Sequence, residues 1–401
     1  MKKYARTHPW ITFRANFSEA QWLLWVRLGE AASKCIHLAN VSMRPETAQK
    51  LHQLYLAKGA AATMAIEGNT LTEEEVLQHV QGKLTVAPSQ KYLQQEVENI
   101  ITACNGISQK LAANDELLPL TTECIADYNR QVRNQLAEEP GTEPPGKLRL
   151  KSVLVGTVYR GAPPEDCEYL LDRLCLWLNG DDFSPRENYH IPFAILKAVV
   201  CHLYLAWIHP FGDGNGRTAR LLELHILLNA GVPQPAAHLL SNHYNQTRSE
   251  YYRLLDHASK SCGDILPFVQ YAVGGFVAGL REQLKYVWDQ QWDIAWRDHV
   301  YTHFRGKDSK SQVRQRHLAL DLGKETAWVS ISSLNQLSER LAIGYAGKTL
   351  KTVQRDVNVL VKLALIERRR GEVRARRDTI LAFSKPLRRS VEADAGGGVQ
   401  K

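Results

Sequence analysis

The densest run of reactive side chains in the sequence extends from His209 to Arg220 and reads His-Pro-Phe-Gly-Asp-Gly-Asn-Gly-Arg-Thr-Ala-Arg. His209 has an unperturbed pKa near working pH, which suits a general base. Gly214, Asn215 and Gly216 permit a tight turn whose N–H groups point one way, a nest for an anion. The residues after it read as a helix from Arg217 to Asn229, apolar through Leu221, Leu222, Leu224, Leu227 and Leu228, with Asn229-Ala230-Gly231 as its stop. The nest therefore sits on a helix N-terminus, where the macrodipole also favours negative charge. Arg217 and Arg220 lie on neighbouring faces of the first turn, and two guanidiniums there match a di- or triphosphate. Asp213 suits Mg2+, which takes few carboxylates and completes its shell with phosphate and water oxygens. Phe211 is expected to anchor the loop in the core. Each part alone is common in structural loops. Together they point to transfer of a phosphoryl-type group onto an activated nucleophile, a reaction that depends mainly on positioning and charge stabilisation.

The elements that must hold this loop are helical. Ile191–Ile208, directly upstream, reads as a buried helix. Lys197 and His202 interrupt its apolar character, so a membrane span is not expected. Farther upstream, Pro45–Ile66 reads as a helix stopped by Gly68, and Thr72-x-x-Glu75 caps the next one. Taken alone, Thr63–Asn69 is a solvated helix end, and Glu67 is mildly unfavourable there for the helix dipole.

The run from His209 to Arg220 resembles, without a gap, the His-x-Phe-x-(Asp/Glu)-Gly-Asn-Gly-Arg-x-x-Arg signature of Fic proteins. The resemblance covers about residues 30 to 285. It takes in the helix Ile191–Ile208 with His202, and Arg149–Tyr159 after Pro144-Pro145-Gly146, which is similar to the family's flap hairpin. Ser249–Leu255 and Gly263–Phe268 are also similar. The resemblance implies a mainly α fold with a helical core and a short β-hairpin flap. It implies transfer of AMP from ATP to a hydroxyl of a target protein, with self-AMPylation. His209 would deprotonate the hydroxyl, and Asp213 would hold Mg2+ on the α- and β-phosphates. Gly214, Asn215 and Gly216 would form the anion hole, and Arg217 and Arg220 would grip the β- and γ-phosphates. Relatives that phosphorylate instead carry Lys where this chain has Gly216. Thr63-x-x-x-Glu67-Gly68 resembles the family's inhibitory motif. Glu67 would then pair with Arg220 and take the place of the γ-phosphate. In some relatives this glutamate supports removal of AMP, so a de-AMPylating enzyme is an alternative.

Composition agrees with a folded, multi-domain chain: 401 residues, 44% hydrophobic, with a net charge of +8. The N-terminus has no apolar run of the signal type, and the seven cysteines are scattered without metal-type spacing. Both suggest a cytoplasmic protein with reduced thiols. The expected organisation is an N-terminal helical region with the inhibitory helix (1–100), the core (101–275) and a helical connector (276–320) with Trp288, Trp292 and Trp296 as a packing stripe. A small winged helix-turn-helix domain (321–385) and a disordered tail (386–401) follow. Residues 301–389 carry 20 Lys and Arg against 8 Asp and Glu, a net of +12, so the rest of the chain is at −4. In that region Ser333–Leu341 reads as a short helix. A longer one follows, with Leu350, Val353, Val357, Leu360, Val361 and Ala364 on one face and Lys348, Lys351, Thr352 and Arg355 on the other. Strands are expected at Ile366–Arg370 and Arg374–Phe383. Such a module serves either DNA binding or packing and protein contacts. Two functional readings remain: an autoinhibited protein adenylyltransferase, and a DNA-binding regulator that senses nucleotide.

Overall fold

The computed structural model describes residues 2–114, 118–137, 142–155, 159–184 and 189–380. They divide into two compact units, Met1–Lys285 and Tyr286–Lys401. Helix dominates both, because apolar side chains recur at three- and four-residue spacing through most of the chain.

In the first unit the helices run α1 (Trp22–Ala39), α2 (Pro45–Ile66), α3 (Glu73–Val80), α4 (Lys91–Ala112) and α5 (Thr122–Val132). A two-stranded antiparallel hairpin follows, β1 (Leu154–Val155) and β2 (Tyr159–Arg160), with Leu154 opposite Arg160. Then come α6 (Cys167–Leu178), α7 (His190–Ile208), α8 (Asn215–Asn229), α9 (Leu239–Gln246) and α10 (Arg248–Lys260). The long helix α11 (Leu266–His303) contributes its first half to this unit. The centre of the core is α7, buried on nearly all sides and packed against α8. Each wholly buried Leu or Ile here is worth about 1.5–3 kcal/mol over its exposed state. Among the described residues α7 alone is long and apolar enough to cross a membrane, and 83% of its apolar window lies inside this core. Helix α2 enters the core through small residues, Ala57, Ala60, Ala61 and Ala62. Gly59 belongs to the same stretch, because a Cβ there would strike the His238 ring.

The second unit contains the end of α11, then α12 (Lys310–Leu322), β3 (Val329–Ser330), α13 (Glu339–Tyr345), α14 (Leu350–Lys362), β4 (Ile366–Arg369) and β5 (Glu372–Ala375). The sheet order is β3-β5-β4, all antiparallel, with Val329 opposite Val373 and Ile366 opposite Ala375. Its own core gathers Trp296, Leu318, Leu341, Val357 and Leu360. Trp296 donates to the Ala319 carbonyl at 3.1 Å, and Gly323 leaves the room its indole needs.

Several expected boundaries shift. The connector read over 276–320 is divided between the cores: Phe276, Val277 and Leu280 pack in the first, Trp296 and Leu318 in the second. Trp296 is buried and Trp292 half-buried, whereas Trp288 is 52% exposed. The short helix starts later, at Glu339 rather than Ser333, because the Ser338 hydroxyl accepts the Leu341 N–H as an N-cap, and a 3-10 turn fills Ile331–Gln336. On α14, Leu350 and Val361 are exposed, outside the buried face of Val353, Val357 and Leu360. The last strand ends at Ala375 and a 3-10 turn follows. That turn occupies Arg377–Ile380 in place of the expected strand, and residues 381–383, the tail and Val158 of the flap lie outside the described residues.

Candidate functional site

Helix α7 ends because His209 adopts the left-handed conformation, φ 49° and ψ 60°, while its N–H still bonds the Leu205 carbonyl at 2.8 Å. The loop returns through Gly214, φ +81°, into α8. A side chain at Gly214 would crowd Asn129, Val132 and Arg133. Within the loop, Asn215 clasps the Phe211 backbone: its Oδ1 accepts the Phe211 N–H and its Nδ2 donates to the Phe211 carbonyl, both at 2.9 Å. Phe211 is fully buried. The Asn215 side chain is thereby engaged, which leaves its N–H as the group it can offer an anion.

Of the sequence-predicted residues, Glu67, His209, Asn215 and Gly216 line one cavity of about 550 Å3, together with Tyr251 and Tyr252, whereas Asp213, Gly214, Arg217 and Arg220 are not part of its lining. Arg220 is buried, and its Nη2 donates to both a Glu67 carboxylate oxygen and the Thr63 carbonyl, the latter at 3.1 Å. Its Nε and Nη1 have no hydrogen-bond partner among the described residues. The Glu67 carboxylate lies directly over Gly216, where a Cβ would collide with it. Burial by itself raises the Glu67 pKa, but the Arg220 guanidinium beside it holds the carboxyl below the usual range. Arg217 is also committed to protein, donating to Asp213 Oδ2 at 2.7 Å and to Glu96 Oε1 at 3.3 Å. Arg133 Nε stands 3.6 Å from the same Asp213 oxygen.

Burial, reinforced by the nearby Arg149 charge, lowers the His209 pKa to about 4. Its Nδ1 makes no hydrogen bond of good geometry among the described residues. The ring is therefore neutral near pH 7 and can accept a proton.

Four contributors were missed from the sequence. Arg149, placed there in the flap, is 1% exposed instead and donates to the carbonyls of His209 (2.6 Å), Lys151 (2.7 Å), Ile208 (3.3 Å) and Ala162. It ties the end of α7 to the segments flanking the hairpin, and Gly161 permits their close approach to Arg149 and His209. Asn129 donates to the Asp213 carbonyl at 2.9 Å and accepts the Gly146 N–H at 2.9 Å. Its signal was available: it is a polar residue on the same helix face as the buried Ile125 and Val132. Arg248 donates to the carbonyls of Ala65 (3.2 Å) and Ile66 (2.6 Å), and the Tyr252 hydroxyl donates to Ile66 at 3.3 Å. These two close the orphan carbonyls at the end of α2 and so aim Glu67.

Among the described residues no three His, Cys, Asp or Glu side chains form a metal cluster. A cation at Asp213, whose side chain is 41% exposed, would have one protein carboxylate and take its other ligands from phosphate and water. That donor set fits Mg2+.

Residues 119–227 match the model of the Fic/DOC family. The chain is 34% identical over 207 residues to the protein adenylyltransferase Fic of Nematostella vectensis, covering 52% of this chain and 44% of that one. It is 31% identical over 241 residues to the enzyme of the same name from Drosophila grimshawi, covering 60% and 44%. The chain thus spans less than half the length of these curated relatives. Among solved structures, a Fic family protein from Desulfovibrio desulfuricans superposes with a TM-score of 0.53 at 20% identity, covering 94% of this chain and 100% of that one. A fragment of Fic-1 from C. elegans superposes with a TM-score of 0.52 at 25% identity, covering 66% and 72%. The fold is the mainly helical one of these Fic structures, and the family match lies within its first unit.

Proposed function

We propose that this Fic-domain chain is a protein adenylyltransferase, held in check by its own Glu67. The observation that carries the reading is the meeting of His209, Asn215, Gly216 and Glu67 at one cavity, with the Glu67 carboxylate already seated on the buried Arg220. A triphosphate brings the same kind of charge that Glu67 supplies. The N–H groups of the turn and the start of α8 would hold phosphate oxygens, and Arg217 and Arg220 the outer phosphates. Asp213 is the residue that would hold Mg2+, which when bound neutralises phosphate charge.

Neutral His209 takes the proton of the target hydroxyl. The hydroxyl oxygen bonds to the α-phosphorus as the bond from that phosphorus to the bridging oxygen breaks, and the electron pair leaves with pyrophosphate. With Glu67 on Arg220, the outer phosphate has lost its cation and meets a like charge. Self-labelling and a protein target follow from the same chemistry. The second unit is read as a winged helix from its order of helix, strand, two helices and hairpin.

The test is labelling of wild type, His209→Ala and Glu67→Gly with α-labelled ATP and Mg2+, followed by mass spectrometry. Glu67→Gly should label about tenfold faster or more, since rate scales with the fraction of sites that are competent. His209→Ala should lose about 10²–10⁴-fold. Equal rates for all three would overturn the reading.

A further inference from the structure

The second unit has a surface that the nucleotide site does not use. Helix α14 buries Val353, Asp356, Val357 and Leu360. Its single acid, Asp356, is turned inward and receives Arg314 at 2.7 Å, Gln315 at 2.8 Å and the Tyr345 hydroxyl at 3.1 Å. The opposite face is a stripe of exposed Lys351, Gln354, Arg355, Asn358 and Lys362, which share one side of a helix by their three- and four-residue spacing. Lys348 stands exposed just before its first turn. None of Lys348, Lys351, Arg355 and Lys362 has an ion-pair partner among the described residues, and no acid interrupts the stripe.

Next to α14 in sequence is the β4–β5 hairpin, whose turn places Arg370 at φ 28° and Gly371 at φ 86°. Arg370 is exposed at the tip and likewise unpaired among the described residues. The hairpin is stiffened behind its tip. Arg369 and Arg374 lie 4.2 and 4.7 Å from the Trp328 ring centre and are anchored by Glu372 at 3.1 Å and Glu367 at 2.5 Å.

We propose that this face binds duplex DNA, with α14 lying in the major groove and the Arg370 tip following the adjacent phosphates. A cationic stripe without acids complements a regular polyanion. Its exposed length of roughly 16 Å suits a groove about 12 Å wide that admits a helix. Gln354 and Arg355, flanked by lysines, have the chemistry to reach base edges, while Lys351, Lys362 and Arg370 meet phosphates. A single strand or an acidic protein segment offers no rigid groove to match a straight helical stripe. This inference is independent of AMP transfer by the first unit.

The experiment uses the full chain and fluorescence anisotropy with a labelled mixed-sequence duplex of about 30 bp, three turns of B-DNA. Equal-length single-stranded DNA, double-stranded RNA and polyglutamate are competitors. Duplex DNA should bind best, and its log K should fall with log salt by about 0.9 per phosphate contact. Lys351→Ala with Lys362→Ala should lower that slope by about 2 and weaken every duplex alike. Arg355→Ala should weaken binding about tenfold and in a sequence-dependent way. These side chains are exposed, so thermal melts of the variants should match wild type. No duplex binding at low salt would overturn the proposal. So would equal or better binding of RNA or polyglutamate, or unchanged affinity in the α14 variants.

Discussion

At the scale of single residues, buried charge and buried imidazole decide the behaviour of the site. His209, His225 and His238 all have pKa values lowered to about 4, chiefly by burial. In the unfolded chain histidine takes its proton near 6.5. Between those values the unfolded state binds more protons, so stability present above about pH 6.5 is lost as pH falls toward 4. The melting temperature should therefore drop between pH 7 and 5, and His209→Gln should drop less; identical pH curves would contradict the assignment. Arg149 is the second residue of this kind. It is a buried cation satisfied by backbone carbonyls, and no carboxylate reaches it among the described residues. Arg149→Met should leave those carbonyls unpaired and destabilise the chain by roughly 2–3 kcal/mol. It should also slow AMP transfer more than it weakens ATP binding, because it holds the His209 backbone rather than the phosphates. Calorimetry beside single-turnover labelling would separate the two effects. Unchanged labelling would leave Arg149 a purely structural clamp.

At the scale of elements, the end of α2 acts as the arm that carries Glu67. Three side chains from elsewhere in the first unit hold it: Arg220 at Thr63, Arg248 at Ala65 and Ile66, and Tyr252 at Ile66. Arg248→Ala removes hydrogen bonds from a charged donor, each worth about 1.5–3 kcal/mol, without touching Glu67 or the phosphate loop. Self-labelling should rise above wild type yet stay below Glu67→Gly. Rates equal to wild type would show that the Glu67–Arg220 contact alone holds the arm. The capping box of α3, with the Thr72 hydroxyl accepting the Glu75 N–H and Glu75 accepting the Thr72 N–H at 2.8 Å, fixes where the chain leaves that arm.

At the scale of the whole molecule there are two cores, and they should be separable by mutation. Trp296 fills the second core and bonds Ala319. Trp296→Ala should destabilise that unit by about 3–5 kcal/mol. The first unit contains all the residues proposed to hold ATP, so it should show the same upward melting shift with Mg-ATP as wild type. Differential scanning calorimetry would read the two transitions. Loss of the ATP-induced shift in Trp296→Ala would show that the cores are coupled. Much of this molecule was determined locally and was therefore legible in the sequence. Pro45 opens α2 and Gly68 closes it, Thr72 and Glu75 cap α3, and glycine spacing builds the loop before α8. Each depends on dihedral freedom or hydrogen bonds within a few residues. The pairing of Glu67 with Arg220 was legible only through the resemblance of Thr63–Gly68 to a family motif, since nothing local joins positions so far apart. The tertiary structure alone decided the rest. It turned Arg149 from a strand residue into a buried clamp, engaged the Asn215 side chain with Phe211, and gave Arg248 and Tyr252 to the end of α2. It also moved Leu350 and Val361 out of the face expected to be buried. These outcomes depend on which backbone carbonyls are left without partners once helices pack, and on how deep each side chain is then buried, quantities set by the assembled core and not by neighbours in the chain.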